Sequence, residues 1–290
     1  MTGKGLNAKR LGIYLITVFA ASLLLILFSG VVSKSRTAFF LVQQLFCWSP
    51  ALACIIARAV TKEGFRDMKL HLRLKGNLRY YLLAFALPPV LVPLTEVLPV
   101  VLNGHGEWLG GFTWTNVTAG LLQLGSTAIV GSIGLLGEEL GWRGYMNGKL
   151  EPLLGTSGTC LAGGIIWGLW HLPNDILNYL NGYVSFPSAL QNALERTVIL
   201  IMLGVVLMWV TKKTGSVWPA VVLHFVYNST IGVVGNMLSM GGKPEDYEAA
   251  FGEEVITRIC EFAPAVLMAA VFAVLLLRDN RNKAKAGSGD

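Results

Sequence analysis

Residues Gly137 to Met146 read GEELGWRGYM, and this decamer decides how the chain has to fold. Two adjacent carboxylates, Glu138 and Glu139, and then Arg143 follow a charge-free run from Val117 to Gly137. A run of about twenty such residues is long enough to cross a bilayer core. A charged group at that depth costs at least ~2.5–3.5 kcal/mol, even on lenient insertion scales. Glu138, Glu139 and Arg143 therefore require partners, water or both. Two later segments carry fitting partners: WGLWH, ending at His171, and HFVYN, from His224 to Asn228.

Composition places the decamer in a membrane. The 290 residues are 53% hydrophobic and 14% charged, with mean hydropathy +0.58. A soluble domain carries about 25% charged residues. Too few polar residues remain to cover a soluble surface, so the pattern predicts an all-α, polytopic membrane protein of about eight transmembrane helices. The spans form a single transmembrane domain over 1–290, with a disordered tail at 280–290. The expected partners are the lipid bilayer and a membrane-associated substrate, with no nucleic acid. Cys47, Cys54, Cys160 and Cys260 form no CxxC pair and lie in or beside apolar runs. They read as buried hydrophobes rather than as a disulfide framework or a zinc ribbon. Cys160 has no activating cation near it in sequence, which argues against a cysteine nucleophile.

Working outward, the first span is Leu11 to Val32, read as an anchor because its flank lacks an A-x-A cleavage pattern. The second is Ala38 to Val60. The basic stretch Thr61 to Arg79 is too polar to span and reads as a cytoplasmic loop or a helix lying on an anionic leaflet. Tyr80 to Leu102 is a third span, kinked by Pro88, Pro89, Pro93 and Pro99. His105, Trp108 and Trp114 follow in an outer loop, the tryptophans suiting an interfacial belt. The fourth span runs from Val117 beyond Arg143, and the fifth from Ser157 to just before Pro173. The last three are Ala189–Val210, Val217–Leu238 and Phe262–Leu277, with an acidic outer loop before the eighth. Most of the 23 Lys and Arg residues fall before the first span, in 58–79, at Arg143 and Lys149, at Lys212 and Lys213, or after Leu277. By the positive-inside rule this puts both termini and the basic stretch in the cytoplasm. The expected location is the plasma membrane, with the site open to the cytoplasmic side.

The polar residues of the three segments share one spacing. Glu139 and Arg143, Trp167 and His171, and His224 and Asn228 are each i,i+4, one face of a helix. Glu138 stands about 100° around the helix from Glu139. One carboxylate can pair with Arg143, and the spacing assigns that role to Glu139. The other can then face a cavity. Gly137 and Gly141, like Gly164 and Gly168, form G-x-x-x-G pairs that let helices approach closely. A carboxylate and an imidazole can hold and activate a water, and a second imidazole with an amide can steady an oxyanion. Glu138, His171, His224 and Asn228 supply those parts. The same residue types leave a zinc site open, with Glu138, His171 and His224 as ligands, although no H-E-x-x-H signature is present. Metal-free chemistry without a cofactor is favoured. Intramembrane Glu and His also fit a proton-coupled transporter, against which the missing internal repeat counts.

Taken in order, EELGWR resembles the E-E-x-x-x-R motif of the CAAX-protease and bacteriocin-processing (CPBP, or Abi) membrane family. WGLWH is similar to its F-x-x-x-H motif with Trp167 in the aromatic position, and HFVYN matches H-x-x-x-N. The resemblance covers about 117–238. It implies an eight-span intramembrane endopeptidase in which Glu138 and His171 activate water and His224 and Asn228 stabilise the oxyanion. Glu139, Arg143 and Trp167 would be supporting residues. The implied substrate is a membrane-associated peptide or protein, with CAAX-type or bacteriocin-type processing both open. A non-catalytic immunity or scaffold protein on the same fold is the alternative.

Overall fold

The computed structural model describes residues 3–32, 35–244 and 251–287. Among them the secondary structure is helical: α1 (Gly3–Val32), α2 (Arg36–Val60), α3 (Leu78–Glu96), α4 (Leu98–Leu102), a 3-10 turn (Gly106–Gly111), α5 (Trp114–Glu139), a π-helix (Leu140–Met146), α6 (Asn147–Leu180), α7 (Phe186–Thr214), α8 (Trp218–Met240) and α9 (Phe251–Gly287). A bilayer offers backbone groups no hydrogen-bond partner, so spanning segments must satisfy their own. Side-chain oxygens of Ser35, Thr113 and Ser185 accept the first free N–H groups of α2, α5 and α7. Gly215 ends α7 in the left-handed region, with φ 64°.

Seven stretches are long and apolar enough to cross a membrane, the longest being Trp114–Leu180 at 67 residues. That stretch turns back on itself. Pro152 and the non-helical Gly155 (φ 69°, ψ 179°) interrupt α6. Beyond them the chain runs antiparallel to its earlier part, with Gly163 beside Asn147 and Trp167 beside Glu138. The described helices therefore make eight passes, in the order expected from the sequence, and the chain is an integral membrane protein. Large apolar side chains such as Ile16, Leu122, Ile129 and Leu267 point outward, which suits lipid rather than water.

Glycine sets the closest approaches. A Cβ on Gly141 would overlap the Pro50 backbone, and one on Gly164 would overlap the Ile201 backbone. The first contact seats the decamer on α2, and the second seats α6 on α7.

Several elements differ from expectation. α6 continues through Pro173 to Leu180. Two contacts hold the turn beyond the proline: Leu177 against Gly30 of α1, and buried Asp175 paired with Arg196 of α7. Pro99 does not bend α3 but starts the separate helix α4. Trp108 is not an interfacial residue. It is buried with Val92, Val100, Val234 and Leu238, and His105 stacks on it at 4.2 Å. Trp114 is exposed as expected. α9 stays helical to Gly287, so the disordered tail expected over 280–290 is helix for most of its length, and 288–290 lie outside the described residues. Most of the acidic loop before the eighth span, including Glu245, Asp246 and Glu248, also lies outside them. The basic stretch is an irregular loop rather than a surface helix, with positive φ at Lys62, Lys69 and Arg73.

Candidate active site

Glu138 and Glu139 end α5, and the π-helix begins at the next residue. A π-helix holds one residue more per turn and often marks functional sites. Glu139 is fully buried and Arg143 nearly so, at 3% exposure. Arg143 donates from its Nη1 to Glu139 Oε1 across 3.0 Å. His224 Nδ1 lies 2.9 Å from the same oxygen. Glu139 Oε2 is buried with no hydrogen-bond partner. Glu139 is thus the structural carboxylate of the pair, facing the cation as its spacing suggested.

Glu138 turns elsewhere. Trp167 Nε1–H donates to Glu138 Oε2 at 3.2 Å. Trp167 is the hub of the cluster, because the Arg143 guanidinium lies 4.0 Å above its ring. Its edge also meets the His224 ring, with centroids 5.1 Å apart. One buried indole therefore touches three of the polar residues and fixes their relative positions. His171 stands one turn beyond Trp167, held edge-on to Trp170 at 4.7 Å. Asn228 stands one turn beyond His224 on α8.

These groups surround one cavity of about 410 Å³. Glu138, His171, His224 and Asn228 all line it, together with Trp167. Glu139 and Arg143 stand behind its wall. The remaining lining is partly apolar, with Leu91, Ile199, Leu200 and Ile231, and partly charged, with Glu96, Glu195, Arg196 and Glu261. A cavity with an apolar majority and a few convergent polar groups is the form expected of a ligand site.

Depth and access part company here. His224 lies only two turns past Val217, at the end of the bundle that carries the basic loop. The charged lining instead leads the other way. A second, smaller cavity shares Thr95, Glu96 and Glu261 and continues to Asn103, Trp108 and Lys243. The lining thus differs from the expectation of a cavity opening beside the basic loop. At that end Met68, Lys69 and Leu70 bridge the π-helix and α8.

Among the described residues, no three His, Cys, Asp or Glu side chains converge closely enough to hold a metal ion. Glu138, His171 and His224 share a cavity wall without forming a ligand set.

The sequence reading missed the charged far wall. Arg196 forks onto Asp175, with Nη1 at 2.9 Å from Oδ1. Glu195 and Glu261 both take Arg258, at 2.7 and 2.9 Å. The signal was present for Glu195 and Arg196, which lie inside the expected span 189–210 and need partners by the argument applied to Glu138; Asp175, Arg258 and Glu261 lie just outside the expected spans.

The fold and site define a class: a polytopic helical membrane protein with a polar, ionisable cavity enclosed by its own helices. Residues 119–230 match the family model described as type II CAAX prenyl endopeptidase Rce1-like, and all four cavity-lining candidates fall within the match. The protein named CAAX prenyl protease 2 from Methanococcus maripaludis is 27% identical over 171 residues, 58% of this chain and 60% of that relative. The alignment therefore spans less than two thirds of the relative's length. Over these residues the chain is similar to type II CAAX prenyl endopeptidases.

Proposed function

We propose that this chain is an intramembrane endopeptidase that hydrolyses a peptide bond in a membrane-associated peptide or protein. The observation that carries the reading is the single cavity shared by Glu138, His171, His224 and Asn228. The family match makes CAAX-type processing, cleavage of a prenylated chain near its carboxyl end, the favoured substrate class over bacteriocin or leader processing.

In this mechanism a water held by Glu138 and His171 attacks the scissile carbonyl carbon. Its proton passes to the Glu138 carboxylate as the C–O bond forms. His224 and Asn228 donate to the resulting oxyanion. The C–N bond then breaks, and the departing amine takes the proton back from Glu138. The Glu139 carboxylate fixes the orientation of His224: its Oε1 accepts the Nδ1 proton, which leaves Nε2 as the ring nitrogen free for substrate. With both nitrogens protonated, the ring donates to the oxyanion while Glu139 balances its charge. Trp167 holds Glu138 through Oε2, with the carboxylate on the cavity wall where water enters. No step uses a metal, so the chemistry is of the glutamate type.

By the positive-inside rule the basic-loop end faces the cytoplasm, and the reacting groups lie near the cytoplasmic face of the membrane. The test compares the full chain with Glu138→Gln in liposomes, on prenylated and unprenylated peptides. Loss of a general base lowers the rate by roughly 10²–10⁴-fold, so cleavage by wild type should fall by that factor in the variant. Equal cleavage by both proteins would refute the mechanism.

A further inference from the structure

The π-helix, which continues directly from Glu139 at the end of α5, is joined to α8 by the Glu139–His224 contact. They are also tied a second time, at the surface, by the basic loop. Lys69 Nζ donates to the backbone carbonyl of Arg143 at 3.2 Å. The Lys69 carbonyl accepts the N–H of Val217 at 3.0 Å, just before α8 begins. Its neighbour Leu70 accepts the indole N–H of Trp218 through its own carbonyl, at 2.7 Å. On the other flank, the Met68 carbonyl lies 3.5 Å from where a Cβ on Gly144 would stand. One loop residue thus reaches both elements, with its side chain on the π-helix and its backbone on α8.

Three observations mark the arrangement as more than loop packing. Lys69 adopts φ 57°, a left-handed conformation that costs a non-glycine residue roughly 1–2 kcal/mol. Such strain persists only where surrounding contacts impose it. Among the described residues, no carboxylate lies within ion-pairing distance of the Lys69 ammonium, so its donor is committed to a backbone carbonyl. The loop is itself anchored: buried Arg58 reaches Asp67 at 2.6 Å and the Gly64 carbonyl at 2.7 Å. Glu63 adds pairs with Lys149 and Arg10.

We propose that Lys69 is a positioning residue for the reaction: it sets the spacing of the π-helix against α8, and through it the Glu139–His224 contact behind the cavity wall. The proposal rests on the hydrolytic reading for its consequence, while the clasp itself can be tested apart from it. Lys69 touches no candidate catalytic side chain and acts only through the two backbones it joins.

The experiment uses the full chain in detergent and in liposomes, as wild type, Lys69→Met, Lys69→Arg and Trp218→Phe. Misplacing a catalytic group by about 1 Å can cost about 100-fold in rate. Lys69→Met should lower kcat by up to that factor while KM stays within about twofold. Lys69→Arg, which keeps a donor of similar reach, should restore most of it. Trp218→Phe, which loosens the same loop from α8, should fall between them. Parallel losses in kcat and KM without rescue by arginine would overturn the proposal, as would an unchanged kcat in Lys69→Met. Amide hydrogen exchange supplies a readout free of activity. In Lys69→Met, exchange should rise in 140–146 and 217–224 and stay level in α1 and α9. If wild type cleaves no peptide yet this local rise appears, the hydrolytic reading fails and the clasp stands. If exchange is unchanged, or rises evenly along the chain, the clasp fails.

Discussion

Replacing Arg143 with methionine tests whether the buried charges form one unit. Methionine keeps much of the length and apolar bulk of the arginine stem but removes the cation. The variant leaves Glu139, which has no exposed surface, with His224 as its remaining hydrogen-bond partner. Removing one member of a buried pair typically costs ~3–5 kcal/mol, because the other charge stays buried without compensation. The guanidinium stacked 4.0 Å above Trp167 adds up to ~2 kcal/mol in a dry setting. The loss should therefore fall near the upper end of that range, a drop on the order of 10 °C in melting temperature. The control is Glu139→Gln combined with Arg143→Met. It removes both charges and should recover a large part of the lost stability, because Glu139 no longer carries a charge that its missing partner leaves uncompensated. Thermal unfolding of the detergent-solubilised chain, followed by tryptophan fluorescence, measures both variants. Cleavage should fall in the single variant as Trp167 loses its stacking partner and Glu138 its orientation. If Arg143→Met melts and cleaves like wild type, Glu139 is not held by that cation and the account of the cavity wall is wrong. If the double variant falls below wild type by the sum of the losses of Arg143→Met and Glu139→Gln measured singly, the two residues act independently and the pair is not a unit.

Three further outcomes are expected. Gly164→Ala forces a Cβ against the Ile201 backbone and should cost ~1–3 kcal/mol by overpacking. It should also reduce cleavage, because α6 carries Trp167 and His171. Gly148→Ala has open space around its Cβ and should be neutral or slightly stabilising, which the same melting assay decides. The third concerns acid. Burial pushes the Asp67 carboxyl up, but the hydrogen bond and charge of Arg58 outweigh that and hold it below its ordinary value of 3.8. A carboxyl lowered on folding stabilises the loop above its unfolded pKa and loses that contribution as pH falls through the lowered value. Amide exchange in 61–77 should therefore accelerate only below about pH 4, and Asp67→Asn should remove that pH step. A step centred near neutral pH would show that another group controls the loop.

What the sequence made legible was what depends on spacing along one helix. The Glu139–Arg143 pair is four residues apart, and a helix brings such residues together whatever surrounds it. The apolar runs marked the spans because a bilayer demands a minimum length. The three motifs could be ordered because each lay on its own span. What stayed hidden depends on contacts between elements. Lys69 and Arg143 are 74 residues apart, and nothing near either one signals the other. The π-helix left no trace in the pattern, since GEELGWRGYM satisfies the four-residue spacing of an ordinary helix equally well. Pro173 misled, because its local effect is to end a helix and the Asp175–Arg196 pair that overrides it comes from a later span. The charged far wall was recoverable in part, by asking of Glu195 and Arg196 what was asked of Glu138.

The division of labour between the two adjacent glutamates follows from how many partners each has. Glu139 Oε1 takes both Arg143 and His224, so a proton transfer there would disturb two hydrogen bonds at once. Glu138 accepts the Trp167 indole proton and lines the cavity, so it can exchange a proton with water while its orientation holds. Adjacent residues on a helix point about 100° apart, which is the smallest sequence separation that lets one carboxylate be locked while the other stays available. Moving the second glutamate one position on would set it about 200° from the first, on the opposite face of the helix. On the proposed mechanism, this is why the chain sets two costly charges side by side within an apolar span, with Trp167 in contact with both the locked group's cation and the free carboxylate.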